Sequence, residues 1–325
     1  MSKRGFSRST RNLPESILTV PHIGLVGCGR WGRFILRDLL SLGASVSVVA
    51  KGDSAHLARE AGAQVVTRLD DLPPVDGIVV ATPTTTHADV IEALLPRGKP
   101  IYCEKPLCDD ADRARRLAEA GRDRLFVMDK WRYHLGVLAL ADIARSGELG
   151  PVVGLRTIRV DFGHSHPDTD GIWTWLPHDL SIAREIFGRV LAPVAAVADR
   201  AGGEIMGLTA MLTARDSAGG GPWHVAEVGG RSPERRRTVT LLCRDGIAIL
   251  QDGYADHLAI FANPPRGTET KPQMTRRPLK VEMPLLAELS AFIGFLNGGP
   301  PPKSPAEEAA ETVATIVELR RLAGL

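Results

Sequence analysis

The chain has no apolar run approaching the roughly 20 residues that a membrane-crossing helix needs, so nothing in it calls for a bilayer. It also lacks a strong charge of either sign. Its 40 Lys and Arg against 38 Asp and Glu leave +2 at neutral pH, too little to demand a nucleic acid or an anionic surface as partner. Cysteine is scarce. The four present (Cys28, Cys103, Cys108, Cys243) have neither metal-ligand nor disulfide-framework spacing and read as reduced, buried thiols of a cytoplasmic protein. The opening stretch, MSKRGFSRSTRNLPES, is basic and serine-rich but lacks the apolar centre of a secretion signal, and a flexible tail is expected over residues 1–19.

What is present suits a packed globular protein: 44% hydrophobic and 24% charged residues, in 325 positions that suggest two domains at roughly 150 residues each. The organising stretch is VPHIGLVGCGRWGRFIL at residues 20–36. An apolar run (Ile23, Leu25, Val26) enters the triplet Gly27-Cys28-Gly29-Arg30-Trp31-Gly32, and an amphipathic segment leaves it through Phe34, Ile35, Leu39 and Leu40. This is the strand, tight turn and helix of a dinucleotide site. Gly27 permits the turn, Gly29 lets backbone approach a pyrophosphate, Gly32 lets helix and strand pack closely, and the helix N-terminus offers free N–H groups.

A second strand at 44–50 ends in Lys51-Gly52-Asp53, where this fold uses an acidic residue on the adenosine ribose. A lysine cannot accept those bonds but can pair with a 2′-phosphate, so NADP(H) is favoured over NAD(H); Asp53 reaching the ribose is the alternative. The near-continuous apolar run 75–81 suits a parallel strand buried on both faces. It ends in Thr82-Pro83-Thr84-Thr85-Thr86-His87. Ligands bind outside the carboxyl ends of such strands, so Thr82, Pro83, Thr84 and His87 are candidate cofactor contacts. One more strand, 99–103, runs into Glu104-Lys105-Pro106.

Five motifs stand in a particular order: GLVGCGRWG (24–32), ATPTTTH (81–87), CEKPL (103–107), RSGELG (145–150) and PHDLSIAREIFG (177–188). With them the chain resembles the glucose–fructose oxidoreductase / inositol dehydrogenase (Gfo/Idh/MocA) family from about Pro21 to the C-terminus. The resemblance implies an α/β protein. A doubly wound Rossmann domain (20–130) would be followed by an α+β domain with an open, mostly antiparallel sheet (131–325). The C-terminal helices would pack back on the first domain, and the active site would lie in the cleft between the two. It implies a nicotinamide-dependent oxidoreductase acting on a sugar-like substrate, and a homo-oligomer formed through the sheet. The family also contains sensors that keep the cofactor site, which is the alternative.

By resemblance, Lys105 orients the substrate hydroxyl over the nicotinamide and His178 is the active-site histidine. The chemistry agrees: a partly buried lysine has its pKa drawn toward neutrality and can accept a hydroxyl proton. His178 is expected near the start of a helix beginning at Pro177, where the dipole would keep the imidazole neutral. Glu104 and Lys105 join the cofactor candidates, and Lys130, Arg132, Tyr133, Thr174 and Asp179 are candidate substrate contacts. Relatives usually carry an aspartate four residues before the histidine, and here that place holds Thr174; Asp170 or Asp179 could substitute for it. The His164, His166 and Asp168 loop looks metal-like, but its spacing matches no standard site and no metal is expected.

Six period-2 stretches follow Gly188, with Asp245-Gly246 read as a hairpin turn between two of them. Arg231, Arg235, Arg236 and Arg237 read as a basic knot in a loop before a strand. Two closing helices are expected over 285–296 and 305–323.

Overall fold

The computed structural model describes residues 20–163, 168–214, 220–263, 273–280 and 282–325. The expected tail 1–19 and the His164 to Pro167 part of the polar loop lie outside these residues.

The first half alternates strand and helix. Strands β1 (His22–Val26), β2 (Ser45–Val49), β3 (Gln64–Val66), β4 (Gly77–Val80), β5 (Ile101–Glu104) and β6 (Leu125–Met128) are joined mainly by helices α1 (Gly32–Ser41), α2 (Asp53–Glu60), α3 (His87–Leu94) and α4 (Ala111–Gly121). All pairings are parallel, in the order β3-β2-β1-β4-β5-β6. The direction of winding therefore reverses between β1 and β4, and the crevice at their carboxyl ends is where such sheets bind ligands. The apolar strands are buried on both faces, as Ile78, Val79 and Val80 at 0% exposure show for β4.

Helix α5 (Leu135–Ser146) leads into the second sheet, made of β7 (Val152–Phe162), β8 (Ala192–Ala201), β9 (Glu204–Thr213), β10 (Trp223–Gly229), β11 (Arg231–Cys243), β12 (Gly246–Leu250), β13 (His257–Ala262) and β14 (Met274–Pro278). Its order is β14-β13-β12-β11-β7-β10-β9-β8, and only the β7–β10 pair is parallel. Helix α6 (Gly171–Phe187) packs on this sheet.

Three local expectations are corrected. Strand β14 was not anticipated, because Met-Thr-Arg-Arg-Pro has no apolar alternation; it is an edge strand held by main-chain pairing to β13. The arginines 231–237 lie inside β11, whose register slips between Arg231 and Arg236 in a bulge against β7, so the stretch is strand rather than loop. The hairpin pairs Cys243 with Gly246, so its turn residues are Arg244 and Asp245.

The chain then returns to the first sheet. Helix α7 (Pro284–Leu296) lies on the same face as α1 and α2, placing Leu285, Leu289 and Phe292 in their apolar cluster. Gly77 makes that approach possible, since a Cβ there would sit 2.9 Å from Phe292 and 2.8 Å from Leu296. Helix α8 (Ala306–Leu322) covers the other face, beside α3 and α4, and its cluster runs on without a break into α6, β9 and β10. Phe292 is fully buried with its ring 5.0 Å from that of Tyr102 on β5. Replacing it with alanine is expected to cost about 3–5 kcal/mol, measured by urea unfolding of the whole chain.

Candidate active site

The glycine turn has the shape of a dinucleotide cradle. Gly27 has φ +93, and a Cβ on it would lie 2.6 Å from the Ala81 carbonyl oxygen, so the turn presses directly on the end of β4. A Cβ on Gly32 would lie 2.5 Å from the Gly27 carbonyl oxygen. At Gly29 a Cβ would meet nothing within 4 Å. The first and third glycines are thus required by packing, while the second faces open space, as close approach of a pyrophosphate requires. These residues fit the group. Cys28, by contrast, turns its side chain into the core at 2% exposure, so any contact it makes with a cofactor is through backbone. Lys51 is exposed just beyond β2, and Asp53 opens α2.

The loop after β4 carries Thr82, Pro83 and Thr84. His87 braces it from behind rather than facing a cofactor. It is 1% exposed, with Nδ1 2.8 Å from the Pro106 carbonyl and Nε2 2.9 Å from the Thr82 carbonyl, and so ties the β4 loop to the β5 loop. Asp168, just before α6, accepts from the Thr84 N–H of the β4 loop at 2.7 Å.

Lys105 follows β5 directly. Its backbone N–H donates to Glu104 Oε2 at 3.1 Å, and its ammonium donates to the Thr174 carbonyl of α6 at 2.8 Å. Burial draws its pKa down to about 8, opposed by Glu104 and assisted by Lys130 and Arg159. Glu104 in turn accepts from the Trp31 side chain, and burial raises its pKa. Lys130 lies with its ammonium 4.1 Å above the Trp31 ring, against the cofactor turn.

His178 is the other half of the site. Helix α6 begins at Gly171 rather than Pro177, capped by Asp170, whose carboxylate accepts from the N–H groups of Ile172 and Trp173. Pro177 is interior to the helix and His178 lies beyond its first turn, so the dipole argument does not apply. Burial holds the His178 pKa well below the usual imidazole value, reinforced by Lys105, Arg159, Lys130 and Arg237. The residue keeps partial exposure, but Nδ1 itself is closed off and has no hydrogen-bond partner among the described residues. Neither aspartate takes the missing carboxylate's place. Asp170 is occupied by its capping bonds and by Arg320 at 2.5 Å. Asp179 is buried in an ion pair with Arg159 at 2.7 Å.

Most expected substrate contacts have other partners. Thr174 donates its hydroxyl to the Asp170 carbonyl at 3.1 Å within its own helix. Tyr133 accepts from the Lys303 N–H at 2.8 Å. Arg132 is an internal clamp: it pairs with Glu185 at 3.2 Å, with Glu308 and with the Lys303 carbonyl, joining the segment after β6 to α6 and α8. A charged residue near the site that sequence reading did not single out is Arg159, on β7 and 3% exposed. It continues the alternation of Leu155 and Thr157, both fully buried, and its charge at such a position was the one signal.

Residues 22–127 match the family model described as "Oxidoreductase family, NAD-binding Rossmann fold". Over that span the chain is similar to the Gfo/Idh/MocA oxidoreductase family. It is 31% identical over 197 residues to inositol 2-dehydrogenase 2 of Saccharopolyspora erythraea, covering 56% of this chain and 58% of that protein. It is 32% identical over 202 residues to inositol 2-dehydrogenase of Rhizobium meliloti, covering 56% and 60%. The matches thus span well under two thirds of these relatives. Among solved structures it resembles a UDP-N-acetylglucosamine 3-dehydrogenase from Acidithiobacillus ferrooxidans, with a TM-score of 0.79 at 23% identity over 93% of this chain and 97% of that one. That likeness establishes the shared two-part fold. Among the described residues no helix is long and apolar enough to cross a membrane, and no cluster of His, Cys, Asp and Glu could hold a metal ion.

The Arg132 clamp makes a measurable distinction. Arg132→Met should destabilise the chain by about 3–5 kcal/mol, because it leaves Glu185 short of a partner in a poorly solvated place. Dinucleotide affinity of the folded protein should be unchanged, as thermal unfolding and equilibrium titration would show; a large loss of substrate affinity at intact stability would instead make Arg132 a substrate contact.

Proposed function

We propose that this chain is an NAD(P)-dependent oxidoreductase that moves a hydride between nicotinamide and a secondary hydroxyl, or its ketone, of a sugar-like substrate. The observation that carries this is Lys105: an amine with a pKa of about 8, at the carboxyl end of a Rossmann strand, anchored to the helix that carries His178. A bound nicotinamide dinucleotide supplies the hydride acceptor or donor; the protein supplies position and proton transfer. The Gly27–Gly32 turn would hold the pyrophosphate, and Thr82, Pro83 and Thr84 would line the nicotinamide side. Lys105, once neutral, can take the proton of the reacting hydroxyl, and the neutral imidazole of His178 can share it. Inositols, free hexoses and nucleotide-linked sugars all fit this chemistry; the relatives named inositol 2-dehydrogenase and the UDP-sugar dehydrogenase of like fold support that range. The open sheet is the surface through which a homo-oligomer would form.

One observation favours a second reading. With Thr174 where relatives carry aspartate, His178 lacks a charged partner, which suits a dinucleotide-binding sensor that does not turn over.

The deciding measurement is nicotinamide absorbance with NADP⁺ and NAD⁺ against inositols, hexoses and nucleotide sugars. Turnover should appear and should fall by about 10²–10⁴-fold in Lys105→Ala; tight dinucleotide binding with no turnover anywhere on the panel would favour the sensor. The pH dependence has a definite sign. Oxidation requires neutral Lys105, so kcat/KM for the alcohol should rise as pH passes through about 8 and level off above it. NADP(H) is favoured because Lys51 stands where a ribose-binding acid would; Lys51→Asp should shift the cofactor ratio toward NAD(H), and an unchanged ratio would refute the assignment.

A further inference from the structure

The cleft holds a feature that hydride transfer to a neutral polyol leaves unused. Arg159 is nearly buried, its side chain 4% accessible, yet only Nε is bonded, 2.7 Å from Asp179 Oδ2. Its guanidinium lies 4.4 Å over the Trp131 ring, which fixes its plane. Among the described residues no hydrogen-bond partner takes either terminal nitrogen. Neither nitrogen is among the fully enclosed unpaired atoms, so the small accessible area that remains includes both. A planar two-donor edge is therefore held in place with slight exposure, close enough to Lys105 and His178 to act on both. The charged groups with the strongest influence on His178 are all cations: Lys105, Arg159, Lys130 and Arg237. Acids stand among them, Glu104 and Asp129 acting on Lys105, Glu104 and Glu288 on Lys130, and Asp161 paired with Arg237 at 3.0 Å, whereas the terminal nitrogens of Arg159 have no such partner among the described residues.

Resting on the proposed oxidoreductase reading, we propose that the substrate is an acid: a sugar-like polyol whose carboxylate is received by the two terminal nitrogens of Arg159, with the reacting hydroxyl at Lys105. A planar carboxylate matches a guanidinium edge with two parallel hydrogen bonds, which a hydroxyl cannot do. It also completes the hydrogen bonding of a charge that is otherwise almost out of water. A single carboxylate suits the space better than a doubly charged phosphate, because Asp179 already offsets part of the Arg159 charge.

The test compares ligands that differ only in that group: glucuronate with glucose, gluconate with glucitol, and UDP-glucuronate with UDP-glucose. Each is titrated calorimetrically into the full chain holding saturating oxidised dinucleotide, and turnover is followed in parallel. At least one acid should bind about tenfold or more tighter than its neutral partner. Arg159→Lys, which keeps a cation opposite Asp179 and so protects the fold, should abolish most of that preference while leaving dinucleotide affinity intact. Equal binding of acid and neutral partner, no binding of any acid, discrimination that survives in Arg159→Lys, or stronger binding of glucose 6-phosphate than of glucuronate would each overturn the inference. The two readings fail separately. Lys105-dependent turnover of neutral sugars without acid preference leaves the oxidoreductase standing and removes the acid; Arg159-dependent acid binding without turnover does the reverse.

Discussion

One hydrogen bond crosses the cleft at its chemical centre: the Lys105 ammonium donates to the Thr174 carbonyl. Lys105 directly follows β5 of the first sheet and Thr174 lies in α6, which packs on the second, so the bond brings the lysine and His178 to one place. It also explains why the lysine is buried enough to have its pKa lowered, yet still close to a hydrogen-bond acceptor in its charged form. Pro177, inside the same helix, carries no N–H and so leaves the Trp173 carbonyl, next to the one Lys105 uses, without its helical donor.

The C-terminal helices make that contact durable. Helix α7 seals one face of the nucleotide sheet and α8 the other, and the α8 cluster continues into α6 and the second sheet. The two sheets share one apolar core through α8, and the buried arginines complete the join: Arg132 to Glu185 and Glu308, Arg184 to Glu311. A long-range ionic network of this kind adds direction to a hydrophobic seam that by itself has none. It holds α6 in register with the strand ends that would carry the cofactor.

The cofactor half of the site was legible because its determinants are local. Gly27, Gly29 and Gly32 act on their own turn and on the neighbouring strand end, and the triplet is readable wherever a strand precedes and a helix follows. The substrate half was not. Lys130, Arg132, Tyr133 and Asp179 were all placed near the cleft by sequence, but three of the four are committed to protein partners 20 or more positions away: Arg132 to Glu308, Tyr133 to Lys303, Asp179 to Arg159. A polar residue next to an active site and one that bolts the site together look alike in a linear sequence.

What the amino-acid sequence determined alone is therefore the class of fold and the dinucleotide turn, which follow from residue type at short spacing, while Lys105 and His178 were singled out through the resemblance of their motifs to a known family. Only the tertiary structure decided that His178 owes its neutrality to burial and neighbouring cations instead of a helix end. It alone showed that β14 completes a sheet without any apolar pattern, and that Arg159 is buried between Asp179 and Trp131. Burial and pairing are properties of what the chain folds against, and the partners here come from α6, α8 and β11, each far from the residue it acts on.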